Sequence, residues 1–202
     1  RISNGILRAR MNKLLLVFLV LFTNSPLMAN EFIYVVTEEL RPLNYEENGR
    51  IKGSATEIVR KVLEKAGASF QIKVYPWARA YSLAQNKKNI LIYTINRTKT
   101  RESKFKWIGL VHTPAWDSGL YKLKNNSKIV VKKLDDAKKY RIGAIRNDVN
   151  HEFLIENGFA RVEAVGEPSR YIEMLIYGRI DMIIGSYPIL VADLKKTINQ
   201  LI

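Results

Sequence analysis

The residues best suited to chemistry concentrate between Tyr75 and Trp107, in the run YPWARAYSLAQNKKNILIYTINRTKTRESKFKW. Thr94, Asn96 and Thr98 crowd hydroxyl and amide groups at the end of a short apolar segment, and Arg101 follows within one helical turn of Thr98. A strand end, the free N–H groups of a helix start and a guanidinium together make a seat for a carboxylate or another small anion. Arg101 has two readings: that seat, or an ion pair with a neighbouring acid such as Glu102, which contributes little when exposed. Trp77 either stacks on a ligand or packs where its helix begins. Acid/base work would need paired carboxylates, and Glu38 and Glu39 are candidates in the loop after the first apolar run, with Glu57 a helix-surface charge unless the fold carries it to the same place.

Composition removes other chemistries. The chain has no cysteine, which excludes disulfides, thiolate metal sites and cysteine nucleophiles. His112 and His151 stand apart from any HxH or HxxxH spacing, so we expect neither a metal nor another cofactor. The 33 Lys and Arg against 19 Asp and Glu give +14, but Arg1, Arg8, Arg10 and Lys13 lie in a leader-like segment; from Glu31 onward 29 against 19 leaves +10. Lysine pairs such as Lys87-Lys88 and Lys138-Lys139 fall at the ends of elements, and no nucleic-acid motif accompanies the charge. No nucleic-acid partner is expected.

The elements that must position these residues can be read from hydrophobic period. Met11-Asn-Lys, the run LLLVFLVLF and the exit at Ala29 describe a cleavable signal peptide, so 1–29 is set aside as upstream extension and leader. Glu31–Thr37 reads as the first strand, Asn48-Gly49 as a tight turn flanked by Tyr45 and Ile51, and Ser54–Lys65 as a helix burying Ile58, Val59, Val62 and Leu63. Phe70–Tyr75 alternates as a strand, Trp77–Gln85 continues as a helix, and Ile90–Ile95 is a buried strand. Thr98 is the expected N-cap of a short helix carrying Arg101. Strand-helix alternation resumes after Leu120–Leu123, with Tyr140–Ile145, a helix capped by Asp148, Val162–Val165, a helix from Pro168 to Tyr177, and Asp181–Ile184. Asp181 is expected to hold its turn with Arg179. The pattern is α/β with mostly parallel sheets, whose ligands bind at the carboxyl ends of the strands. Three loops meet there: Thr37 to Tyr45, Tyr75 to Arg79 and Thr94 to Arg101.

Several segments in this order carry a resemblance: TEELRPLNYEENGRIKG with Glu57 in the following helix, YPWARA, NRTKTRESKFKWIG, YRIGAIRNDVNHEFLIENGF and LIYGRIDMII. The chain resembles the type 2 periplasmic solute-binding proteins, in the branch of family 3 or polar amino-acid binding proteins. The resemblance implies two α/β lobes, here 30–113 and 114–188 with the crossing segment, closing over a ligand in the cleft between them. It implies that Arg101 grips a carboxylate in bidentate fashion, that Thr94 and Asn96 add hydroxyl and amide contacts, and that the helix start at Asp148 and Val149 offers backbone N–H groups. The position where amino-acid binders often place a carboxylate for the ligand's amino group falls at Ser186; Glu38 or Glu39 would compensate. Tyr45 and Tyr75 are expected as aromatic walls. Family members continue beyond this length, so 189–202 reads as the start of an incomplete return to the first lobe. The implied function is capture of a small polar solute, an amino acid or related carboxylate, for a membrane permease of the ABC type, by a periplasmic monomer. An envelope enzyme on the same fold, such as a dehydratase or a lytic enzyme, and a detached sensory domain are the competing readings.

Overall fold

The first sheet forms from three short runs rich in β-branched residues, in the order β4-β1-β5, all parallel. β1 spans Ile33–Thr37, β4 Phe70–Val74 and β5 Ile90–Ile92. The computed structural model describes residues 32–111 and 117–201; the expected signal peptide, His112 and part of the expected crossing segment lie outside them. Between β1 and β4 the chain makes a hairpin, β2 (Tyr45–Glu47) with β3 (Arg50–Lys52), and a helix, α1 (Ser54–Lys65). Asn48 and Gly49 turn the hairpin with φ of 52° and 71°, the positive values that tight two-residue turns require. Gly53, at φ 117°, precedes α1, and a side chain there would strike the Leu43 carbonyl. That close approach lets Leu43 accept from the Ala55 amide at the start of α1.

α1 buries Ala55, Thr56, Val59 and Leu63 against Val35, Leu43, Ile72 and Tyr93. Ile58 and Val62, expected on that face, are exposed. The stripe is rotated by one position because Thr56 turns inward, where its hydroxyl meets that of Tyr93 at 2.8 Å. β5 is also shorter than its apolar run. Tyr93 turns inward and Thr94 adopts φ 59°, a left-handed conformation rare for a β-branched residue, so the strand ends at Ile92. α2 (Trp77–Asn86) follows β4 and buries Trp77, Ala80 and Tyr81.

The second sheet has the order β6-β9-β7-β8. β6 (Ser118–Tyr121) runs antiparallel to β9 (Met182–Ser186), while β7 (Ile142–Ile145) is parallel to both β9 and β8 (Val162–Val165). Alternation along β9 divides its side chains between two cores. Met182 and Ile184 join Ile142, Ala144 and Leu154; Ile183 joins Tyr171, Ile172 and Leu175 on the other face. Each fully buried aliphatic side chain here contributes about 1.5–3 kcal/mol. Leu154 belongs to α4 (Val149–Glu156), and Tyr171 to Leu175 belong to α5 (Pro168–Ile176). Between β6 and β7 the chain makes a single 3₁₀ turn, Leu134–Ala137. Asp181 holds Arg141 rather than Arg179: the Arg141 amide and guanidinium both donate to its carboxylate, at 2.8 and 3.1 Å, because parallel pairing sets β7 and β9 side by side.

The last element, α6 (Tyr187–Leu201), leaves β9 at Ser186. Leu190 packs with Tyr171 and Ile172, while Lys196 reaches Glu39 of the first lobe at 2.9 Å. α6 therefore touches both lobes, within a unit that extends from Glu31 to Ile202.

Candidate functional site

Three loops at the carboxyl end of the first sheet aim side chains toward the second lobe. After β1, Asn44 folds back and donates to the Glu38 carbonyl at 2.7 Å, fixing the backbone that carries Glu38 and Glu39. After β4, Pro76 is the N-cap of α2, and Trp77 begins the helix almost fully buried. After β5, Thr94 shares a hydroxyl contact with Thr37 at 3.2 Å and donates to the Tyr93 carbonyl. Thr98 is the N-cap of the four-residue helix α3 (Lys99–Glu102), but its hydroxyl bonds Thr100 rather than a backbone amide.

Arg101 on α3 is the largest fully buried side chain among the described residues. Its guanidinium lies 5.3 Å from the Trp77 ring centre and 5.1 Å from that of Tyr81. Nη2 donates to Glu152 Oε1 at 2.9 Å and to the Asn147 carbonyl at 3.1 Å; the Asn96 carbonyl lies 3.5 Å from Nη1. The indole N–H of Trp77 donates to the same Asn147 carbonyl at 2.6 Å. Arg101 and Trp77 from the first lobe thus converge on one carbonyl and one carboxylate of the second. Glu102, one of the expected partners of Arg101, pairs with Arg97 instead. Sequence reasoning missed Glu152 and Asn147. Glu152 sits one turn into α4, where an acid is already favoured by the helix dipole, so nothing in the sequence marks it as a partner for Arg101.

Asp148 caps α4, accepting from the His151 amide at 2.6 Å, with Val149 the first helical residue. Burial, more than any neighbour, lifts the Asp148 carboxyl to about 6, against the pull of its hydrogen bonds and of Arg101. Of the other expected residues, Tyr45 stands apart. It lies in the hairpin under the Arg41 guanidinium, 4.0 Å from the ring centre, and does not line the cleft cavity. Ser186 is buried at the end of β9, paired with Ser118.

Beside the Arg101 contact lies a cavity of about 300 Å³. The first lobe contributes Glu38, Glu39, Tyr75 and Trp77 to its wall, the second lobe the start of α5 at Pro168, and α6 contributes Asp193 and Lys196. Lys196 is engaged with Glu39, which also receives Arg41 at 3.3 Å. Asp193 is 4% exposed and its Oδ2 has no hydrogen-bond partner. Burial pushes its carboxyl up to about 7, opposed first by Lys196. Glu38 is pushed up to about 8 by burial and then by the charges of Asp148 and Asp193, with Arg101 pulling the other way. Three carboxyl groups from three separate elements therefore titrate near neutrality around one cleft. Asp193 went unforeseen because a lone acid in a helix reads as a solvated charge. Glu57, expected near the cleft, is exposed and lies 3.9 Å from Arg60.

Comparison with known proteins gives the same architecture. Solved structures that resemble the chain include a histidine kinase sensor domain with similarity to periplasmic binding proteins, at TM-score 0.71 and 17% identity over 85% of this chain and 74% of that one. They also include the arginine-, lysine-, histidine-binding protein ArtJ from Geobacillus stearothermophilus, at TM-score 0.62 and 18% identity over 84% and 73%. A third is an ancestral amino-acid-binding protein, a precursor of cyclohexadienyl dehydratase, at TM-score 0.67 and 15% identity over 81% and 74%. No curated protein sequence matches. The fold is the two-lobed α/β fold of the periplasmic binding proteins. The model of the bacterial extracellular solute-binding proteins, family 3, matches residues 32–152, a stretch that runs from β1 to Glu152 itself. The chain belongs to the bacterial extracellular solute-binding proteins, family 3.

Proposed function

We propose that the chain captures a small polar solute in the cleft between its lobes and presents it to a membrane permease of the ABC type, acting as a monomer outside the cytoplasmic membrane. The observation that carries this reading is the cavity of about 300 Å³, walled by both lobes and by α6 and lined by the buried Asp193 and the half-buried Glu38, neither in an ion pair among the described residues. Its volume suits a molecule of amino-acid size. No helix among the described residues is long and apolar enough to cross a membrane.

In this reading Glu38 and Trp77, which line the cavity, meet the solute directly. Arg101, Asn96, Asp148 and Val149 sit where the lobes meet and govern closure; Thr94 supports them by holding the turn after β5. A solute that brings its own carboxylate to Arg101 must displace Glu152. Isothermal titration against amino acids, amines and organic acids, with small-angle scattering to follow lobe closure, tests the reading. Saturable binding with a contracted radius of gyration is the expected result, and no binding across the panel sinks it.

A second reading is catalysis on the same fold, favoured by one observation: Glu38, Asp148 and Asp193 hold carboxyl groups near 8, 6 and 7. Such values suit general acid/base work at neutral pH. A bell-shaped pH–rate profile lost in Glu38→Gln would support an enzyme, whereas solutes that bind and are returned unchanged would exclude one.

A further inference from the structure

We propose that the cavity selects an organic cation, a primary amine or guanidinium, that carries no carboxylate of its own. This rests on the solute-binding reading and narrows it to a ligand class. Asp193 lines the cavity, is 4% exposed, and carries a carboxylate oxygen, Oδ2, that has no hydrogen-bond partner among the described residues. Burying such a group unpaired is unfavourable, and a cationic ligand supplies the missing partner. Glu38 faces the same cavity from the other lobe, and among the described residues neither acid has a salt bridge. The one lysine of the wall, Lys196, is already held by Glu39. Tyr75 and Trp77 complete the wall with aromatic surface, which cations favour over anions.

A ligand carboxylate finds no comparable welcome. Arg101, the strongest anion seat near the cleft, is committed to Glu152 and to the Asn147 carbonyl and does not line the cavity. The N-terminus of α5 reaches the wall through Glu167, Pro168 and Ser169; Pro168 has no N–H, the Glu167 carboxylate opposes a second anion, and Ser169 is the donor left to a carboxylate there. The raised Glu38 and Asp193 carboxyls agree with this reading, since a bound cation would favour their charged forms.

Arginine and its decarboxylated counterpart, agmatine, differ only in the carboxylate and so separate the two halves of the proposal. Titrated into the full chain at pH 7.5, agmatine is expected to bind at least about tenfold more tightly than arginine, with no heat from glutamate. Asp193→Asn should weaken agmatine at least about tenfold, with an unchanged circular-dichroism spectrum. Should that variant fail to fold, Glu38→Gln gives the same reading from the opposite wall. Glu152→Ala frees Arg101 and should raise the affinity for arginine relative to that for agmatine. Arginine binding as tightly as agmatine to the unaltered chain would overturn the proposal, because the carboxylate is then being read. Glutamate or glutamine binding more tightly than either cation would remove the cation selection and leave solute capture standing. Silence from the whole panel of amino acids, amines and organic acids removes solute capture as well.

Discussion

The two sides of the cleft handle buried charge in opposite ways. On one side Arg101, fully buried, is answered from within the chain by Glu152, the Asn147 carbonyl and two aromatic rings. On the other, the half-buried Glu38 and the buried Asp193 have no salt bridge among the described residues, and their carboxyl groups shift toward neutrality instead. The first arrangement ties the lobes together through an ion pair, although the buried Arg101 Nε has no hydrogen-bond partner among the described residues; the second has no ion pair among them and leaves Asp193 Oδ2 without a hydrogen bond. In the proposed reading the first is a latch and the second receives the solute, and mutation should separate the two.

The comparison breaks most sharply at Arg101. Arg101→Ala strands Glu152 and opens space between Trp77 and Tyr81, and should cost about 3–5 kcal/mol, seen as a thermal midpoint lower by roughly 10 °C. A midpoint within a degree or two of the original would show that the latch contributes nothing. The receptor side responds to pH. Glu38 and Asp193 titrate near 8 and 7 in the folded chain, above their values when unfolded, so the native state holds more protons across that window. Stability contributed by these groups is full below about pH 4 and falls as pH rises toward 8, by up to about 1.4 kcal/mol per pH unit for each group. Asp148, Asp193 and Arg101 act on Glu38, and Lys196, Glu39, Arg41 and Tyr171 on Asp193. Denaturant titrations of ligand-free protein at pH 5 and pH 8 should show the drop, and the double variant Glu38→Gln, Asp193→Asn should flatten it. An unchanged slope in that variant would place the titrating groups elsewhere.

Smaller effects sharpen the picture. Glu152→Gln keeps the shape of the side chain but removes its charge, and about 2 kcal/mol of stability should go with it. A loss equal to that of Arg101→Ala would make the Asn147 carbonyl and the rings irrelevant. Trp77→Phe keeps an aromatic surface and deletes the indole N–H bond to Asn147, for an expected loss of about 1 kcal/mol. Hydrogen exchange at the start of α4 would rise if that bond helps to keep the lobes together.

Much of the architecture was legible because it rests on local period. The parallel strands β1, β4, β7 and β8, the helices they alternate with, the Asn48-Gly49 turn and the Asp148 cap all follow from patterns within a dozen residues. The misjudged features depend on partners far away in sequence. The period of α1 allows two apolar stripes, one with Ile58 and Val62 inward, and only packing against Tyr93 chooses between them. The apolar run from Ile90 predicts a longer strand because Tyr93 and Thr94 look like strand residues until Thr37 and Thr56 claim their hydroxyls. Sequence proximity pairs Asp181 with Arg179, its neighbour but one, whereas parallel pairing delivers Arg141.

The site divides along the same line. Sequence alone marked the loops that face the cleft and singled out Glu38, Trp77, Arg101 and Asp148, since strand ends and helix starts can be read locally and their residue types suggest chemistry. Only the tertiary structure decided what those groups meet. It set Glu152 against Arg101 and brought Asp193 of α6 to the same cavity as Glu38, across 155 positions of chain. The physical reason is that a buried charge is defined by its surroundings. Whether a carboxylate is solvated, paired or left waiting for a ligand depends on which remote segments enclose it, and residue order along the chain does not state that.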